Sequence, residues 1–114
     1  MPRILVVEDD ADVQTVILEF LESTGHQVVA AVSAEQARLI LASESIDLAL
    51  IDCLMGGERG SSLAEHAYEL GIPTILTSGN PHFSETTAVP FLPKPFRLTE
   101  LDELISRTLK PLRE

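Results

Sequence analysis

The sequence predicts an α/β domain: a parallel sheet of five strands, doubly wound, with helices on both faces. Two observations carry that prediction. Short apolar runs rich in β-branched residues alternate with stretches of helical period, and no repeat, linker or low-complexity tract interrupts the alternation. Strands alternating with helices imply right-handed crossovers, which bury a parallel sheet between helical layers. The 114 residues hold five strands, four or five helices and one core, so a single domain is expected over 1–114.

Ile4, Leu5, Val6 and Val7, bounded by Pro2 and by acids, read as the first strand. A helix is expected over 10–23, where Val13, Val16, Ile17, Phe20 and Leu21 recur at helical spacing. Asp10 supplies an N-cap, and Gly25 stands where a left-handed stop is wanted. The second strand is expected over 28–32. Ser33 and Gln36 then form a capping box before Ala37, Leu39, Ile40 and Leu41. The third strand, 48–51, ends in Asp52, and a loop with Gly56, Gly57 and Gly60 follows. Ser62 and Glu65 make a second capping box, opening a helix that stops at Gly71. The fourth strand, 73–77, ends in Ser78.

Between Gly79 and Val89 no 3.6-residue period survives, and Pro81 and Pro90 flank the gap, so a loop or at most a turn or two is expected. The fifth strand, 89–94, carries Pro90 and Pro93, which confine it to a sheet edge. A last helix starts at Thr99 with Leu101, Leu104, Ile105 and Leu109, and Pro111 follows its end.

Composition narrows the function. With 18 Asp and Glu against 8 Lys and Arg, the net charge is -10. A surface that acidic repels phosphate backbones and anionic lipid, so neither direct nucleic-acid binding nor membrane docking is expected. The lone cysteine, Cys53, forms no internal disulfide and fits a reducing compartment. Four apolar residues before Glu8 are too few for a signal peptide, and no apolar run reaches membrane-spanning length, so a soluble, cytoplasmic protein is expected.

The chemistry lies in what terminates each strand. Glu8 and Asp9 end the first, Asp52 the third, Ser78 the fourth and Lys94 the fifth. In an open parallel sheet these ends share one edge, where ligands bind at the switch in strand order. Three carboxylates and one ammonium in a small volume call for a cation, and an all-oxygen, partly solvated site suits Mg²⁺. A carboxylate beside that ion is a competent nucleophile toward phosphorus. Lys94 and the Ser78 hydroxyl would serve the other phosphoryl oxygens.

These residues carry a resemblance. ILVVEDD at 4–10, LALID at 48–52, Gly60 beyond Asp52, TS at 77–78 and FLPKPF at 91–96 together resemble the receiver domain of bacterial two-component response regulators, of the chemotaxis-regulator type. The resemblance covers essentially the whole chain. It implies the flavodoxin-like receiver fold with strand order 2-1-3-4-5. It further implies Asp52 as phosphoacceptor, Asp9 as direct Mg²⁺ ligand, Glu8 acting mostly through water, and the Leu54 carbonyl as a further metal ligand. Ser78 is then the switch hydroxyl, Lys94 the phosphate-binding lysine in a cis Lys94–Pro95 peptide, and Phe91 the switch aromatic. The sequence departs from the family in a shortened 79–93 region, where the fourth helix would fall. It also has Gly56 where proline is common, and Phe91 lacks the hydroxyl of the frequent tyrosine.

Other residues have plainer readings. Asp10 and Asp12 suit a helix N-terminus, and Cys53 and Met55 suit packing. His26, His66 and His82 have no ligand spacing, and Gly56-Gly57 lacks any phosphate-loop pattern. The function expected is a phosphorelay receiver loaded by a histidine kinase or histidine phosphotransfer protein and acting on an unidentified downstream protein. It assists its own phosphotransfer and dephosphorylation but is not otherwise an enzyme. No output domain fits after Lys110, so a stand-alone regulator, a shuttle or the receiver of a longer protein is expected. Alternatives are a receiver-like interaction module without phosphotransfer and a flavodoxin-like cofactor binder. Against the latter stand aromatics at 4% and no tryptophan.

Overall fold

Alternate residues of the first strand face opposite sides of the sheet, and that sets the layers. The computed structural model describes residues 2–53, 60–78 and 90–109. Its elements run β1 (Arg3–Val7), α1 (Ala11–Ser23), β2 (Gln27–Ala31), α2 (Ala34–Ser43), β3 (Leu48–Asp52), α3 (Gly60–Glu69), β4 (Thr74–Ser78), β5 (Phe91–Pro93) and α4 (Leu98–Leu109). The five strands form one parallel sheet in the order β2-β1-β3-β4-β5. Leu5, Val7, Ala49, Ile51 and Leu76 bury one face under Ala34, Ala37 and Leu41 of α2 and Leu63, Ala64 and Ala67 of α3. Ile4, Val6, Leu48, Leu50 and Ile75 bury the other under Ile17 and Leu21 of α1 and Leu101 and Ile105 of α4.

The helix ends follow from local hydrogen bonding. Asp10 Oδ1 accepts from the backbone N–H groups of Asp12 (3.0 Å) and Val13 (3.2 Å), which caps α1. Gly25 takes φ +93 and Gly71 φ +82, the left-handed stops expected after α1 and α3. Ser33 Oγ accepts from Gln36 N at 3.1 Å, but the Gln36 amide oxygen returns to Val32 N at 2.9 Å. That bond draws Val32 out of β2, so the strand spans Gln27–Ala31, and the Val32 side chain is half exposed.

Other boundaries also move. α3 opens at Gly60, which leaves Ser62 inside its first turn, so Ser62 and Glu65 do not cap it. β4 is Thr74–Ser78, so Ser78 is its last rung. β5 is only Phe91–Pro93 and, among the described residues, pairs with β4 alone, an edge strand as its prolines require. α4 starts at Leu98, because Glu100 Oε1 accepts from Arg97 N at 2.8 Å and so satisfies the backbone one residue earlier than Thr99 would. Val16 and Leu39, counted with the apolar stripes of their helices, are 52% and 66% exposed. The expectations for Leu54, Met55, Gly56 and Gly57, for the stretch 79–89, and for Pro111 fall outside the described residues.

Burial separates leucines that look alike in the sequence. Leu21→Ala should lower stability by about 3 kcal/mol, because its side chain is fully buried. Leu39→Ala should change it by less than about 0.5 kcal/mol. Urea unfolding of the two variants measures both, and equal losses would contradict the layer assignment.

Candidate functional site

Parallel pairing lines up the strand ends. Asp52 pairs with Thr77, and Ser78 with Pro93. Two further backbone bonds extend the ladder past the strands: Cys53 N donates to Thr77 O at 2.7 Å, and Lys94 N to Ser78 O at 2.8 Å. On the other side, Glu8 N donates to Ala31 O at 3.0 Å. The chain is thereby fixed up to the residues that carry the polar groups, at the carboxyl edge of the sheet.

The side chains meet there. Lys94 Nζ lies 3.1 Å from Glu8 Oε1 and 3.2 Å from Asp52 Oδ2, although 86 and 42 residues separate the partners. Glu8 is 3% exposed, Asp52 6% and Ser78 1%, while Asp9 is exposed at the rim. Carboxylate oxygens of Glu8, Asp9 and Asp52 all lie within 4.8 Å of one another. Glu8 Oε2 also accepts from Asp10 N at 3.3 Å. The Lys94–Pro95 peptide is cis. Phe91 is half-buried opposite Leu76 and packs on the α2–α3 side of the core.

The electrostatics follow. Burial lifts the Glu8 carboxyl above its ordinary value; the Asp52 charge adds to this, and the Lys94 ammonium opposes it. Burial alone would lower the Lys94 ammonium, but its hydrogen bond to Glu8 and the charges of Asp52 and Glu8 together hold it above its ordinary value. Burial, then the Asp52 charge, pushes the Cys53 thiol up to about 11. Cys53 therefore stays protonated, in keeping with its reading as a packing residue.

One buried polar side chain escaped the sequence analysis. Gln14, 9% exposed on the core side of α1, donates from Nε2 to Ala31 O (3.0 Å) and to Glu8 O (3.3 Å). Its signal was available, since it stands three residues before Ile17 and seven before Leu21, on the buried stripe. A polar residue at a core position calls for partners.

Comparison with known proteins agrees with this geometry. The family model described as response regulator receiver domain matches residues 4–106. Transcriptional regulatory protein CpxR of Escherichia coli is 35% identical over 117 residues, covering 96% of this chain and 50% of CpxR. The crystal structure of a CheY-like response regulator receiver domain protein from Methanospirillum hungatei superposes with a TM-score of 0.90 at 28% identity, covering 97% of this chain and 95% of that one. Response regulator TrrA of Thermotoga maritima, crystallised with Mg²⁺ and BeF, gives a TM-score of 0.87 at 27% identity over 96% and 100% of the two chains.

The chain belongs to the response regulator receiver domain family. It is a signalling domain, and its acidic pocket fits a phosphoacceptor site. It spans about half the length of the curated relatives it matches. These relatives are regulatory proteins, several of them transcriptional, and they lend no support to the expectation of no nucleic-acid partner. Among the described residues, no helix is long and apolar enough to cross a membrane.

A carboxyl held above its ordinary value stabilises the fold below its unfolded value, near 4.5 for Glu8, and that contribution is lost as the pH rises through the folded value. In metal-free buffer at pH 7, Glu8→Gln should therefore unfold at a higher urea concentration than the wild type. The gain should shrink as the pH falls toward 4.5. A variant less stable than the wild type at pH 7 would contradict the crowding of charge at this edge.

Proposed function

We propose that this domain accepts a phosphoryl group on Asp52 from a phosphohistidine, with Mg²⁺ bound, and changes conformation as a signal. The observation that carries the reading is the meeting of Lys94 with Glu8 and Asp52 beside Asp9. The donor set fits a hard cation: three carboxylates, all oxygen, and no sulfur or imidazole in the cluster. Two oxygens on one Mg²⁺ are at most about 4.2 Å apart, so a set spread over 4.8 Å needs only a slight contraction. Asp9, at the rim, is the natural direct ligand, with Glu8 behind it; the Leu54 carbonyl, which lies outside the described residues, is the remaining proposed ligand. When bound, the ion neutralises charge on the transferring group.

In the transfer, an Asp52 carboxylate oxygen attacks phosphorus, the O–P bond forms, the N–P bond breaks, and the electron pair stays on the donor imidazole. Lys94, held near Asp52 by the β4–β5 ladder, pairs with a phosphoryl oxygen and stabilises the charge that spreads there. The product carries about one more negative charge than the carboxylate it replaces. That charge draws the Ser78 hydroxyl, at the end of β4, toward a phosphoryl oxygen. Phe91, paired beside β4 and half-buried, would then repack inward and alter the surface near β5.

Receiver domains of response regulators partner with histidine kinases, and a kinase or a histidine phosphotransfer protein is the proposed donor here, in the cytoplasm. It must rest beside the acidic edge. An apolar groove of about 540 Å³ between α1 and the start of α4, lined by Val13, Val16, Ile17, Pro95, Phe96 and Leu98, begins at Lys94 and suits a helix of that donor. The downstream partner is a protein that reads the surface near β5.

Acetyl phosphate with Mg²⁺ should add one phosphoryl group to the chain, seen by intact mass. Asp52→Asn should abolish the addition, and Lys94→Met should slow it by at least about a hundredfold. Undiminished addition to Asp52→Asn would refute the acceptor. No addition to the wild type would leave an interaction module.

A further inference from the structure

Gln14 is a buried amide whose one nitrogen carries two N–H groups, and both have acceptors: Ala31 O, where β2 ends, and Glu8 O, just past the end of β1. Glu8 O belongs to the peptide bond between Glu8 and Asp9. That unit is planar, so holding its carbonyl fixes the plane from which both acids project. The other side of Glu8 is held as well, since its N–H donates to the same Ala31 carbonyl. α1 itself is anchored by Ile17 and Leu21 in the core, so the amide is a rigid brace from the helix to the strand ends. A hydrophobic residue would fill this core position equally well. What the glutamine adds is the two donors.

We infer that Gln14 is a positioning residue for the cation site: its side-chain amide orients the Glu8–Asp9 peptide so that both carboxylates converge with Asp52. The inference rests on the reading of Glu8 and Asp9 as Mg²⁺-binding acids and deepens it. Gln14 touches neither the ion nor the transferring group. Its loss should therefore weaken metal binding and leave the chemistry of the loaded site intact. Residues that orient metal ligands from behind commonly change affinity by tenfold or more.

The test uses the full chain and Mg²⁺ alone as probe. Calorimetric titration should give Gln14→Leu an affinity for Mg²⁺ about tenfold below the wild type. Phosphorylation of the variant by acetyl phosphate should return to within about twofold of the wild-type rate once Mg²⁺ saturates, so the defect lies in the Mg²⁺ requirement and not in the maximal rate. A merely structural role would lower the melting temperature and leave Mg²⁺ affinity unchanged, which would overturn the inference. A variant slow at saturating Mg²⁺ with unchanged affinity would overturn it equally.

A second measurement needs no variant. In ¹⁵N spectra of the wild type, the Gln14 side-chain amide should shift with Mg²⁺ along the same binding curve as the Asp9 amide, while the exposed Gln27 side chain stays still. A Gln14 amide indifferent to Mg²⁺ would overturn the inference. If the wild type takes up no Mg²⁺, the metal reading falls and this inference with it. If the wild type binds and Gln14→Leu binds as tightly, this inference falls alone.

Discussion

Everything at the functional edge depends on one ammonium shared between two buried carboxylates. Lys94 reaches Glu8 and Asp52 from just past β5, an edge strand of three residues, and the acids stand at the ends of two other strands. Two carboxylates under a tenth exposed would repel each other strongly without it, and a third, on Asp9, stands within 4.8 Å. Among the described residues, one positive charge faces three negative ones at this edge. On the proposed reading, a divalent ion would relieve that crowding and a phosphoryl group on Asp52 would renew it.

That crowding is held because the central strands of the sheet beneath it are paired on both sides and buried on both faces. The four pairings place the strand ends in register, and helices cover both faces with aliphatic side chains. Backbone bonds from Glu8, Cys53 and Lys94 carry the ladder one residue beyond the regular strands. The acidic edge is therefore positioned by the hydrogen-bonded sheet. The groups expected to respond, Ser78 and Phe91, lie on β4 and β5, the strands nearest the edge of the sheet. On the proposed reading, a charge change at Asp52 would reach β4 first and then β5, which among the described residues pairs with β4 alone.

Much of this was legible in the sequence, for physical reasons that also explain what was not. Continuous apolar runs such as 4–7 and 48–51 mark strands buried on both faces, and the polar residue that stops each run marks the carboxyl edge. Asp10 and Gly25 announced their helix ends because capping is local chemistry. Tertiary choices were harder to read. Ser62 and Glu65 have the spacing of a capping box, yet α3 opens at Gly60. Leu39 shares the composition of its stripe but sits on the solvent side, since α2 shows the sheet only a narrow face of Ala34, Ala37 and Leu41. Gln14 is silent in the apolar period because it is polar, although its place on the buried stripe with Ile17 and Leu21 distinguishes it. The roles given to Asp52, Ser78, Lys94 and Phe91 came from strand ends and resemblance together. Lys94 and Asp52 meet with Glu8 at the carboxyl edge, whereas Phe91 lies two rungs back, opposite Leu76.

The most direct measurement is a double-mutant cycle between Asp52→Asn and Lys94→Met, read by urea unfolding in metal-free buffer. The residues are 42 apart in sequence and stand at the ends of β3 and β5, strands that do not pair, so a shared site is what couples them. The account predicts a coupling free energy of at least about 1 kcal/mol, and losses that add to within about 0.5 kcal/mol would contradict it.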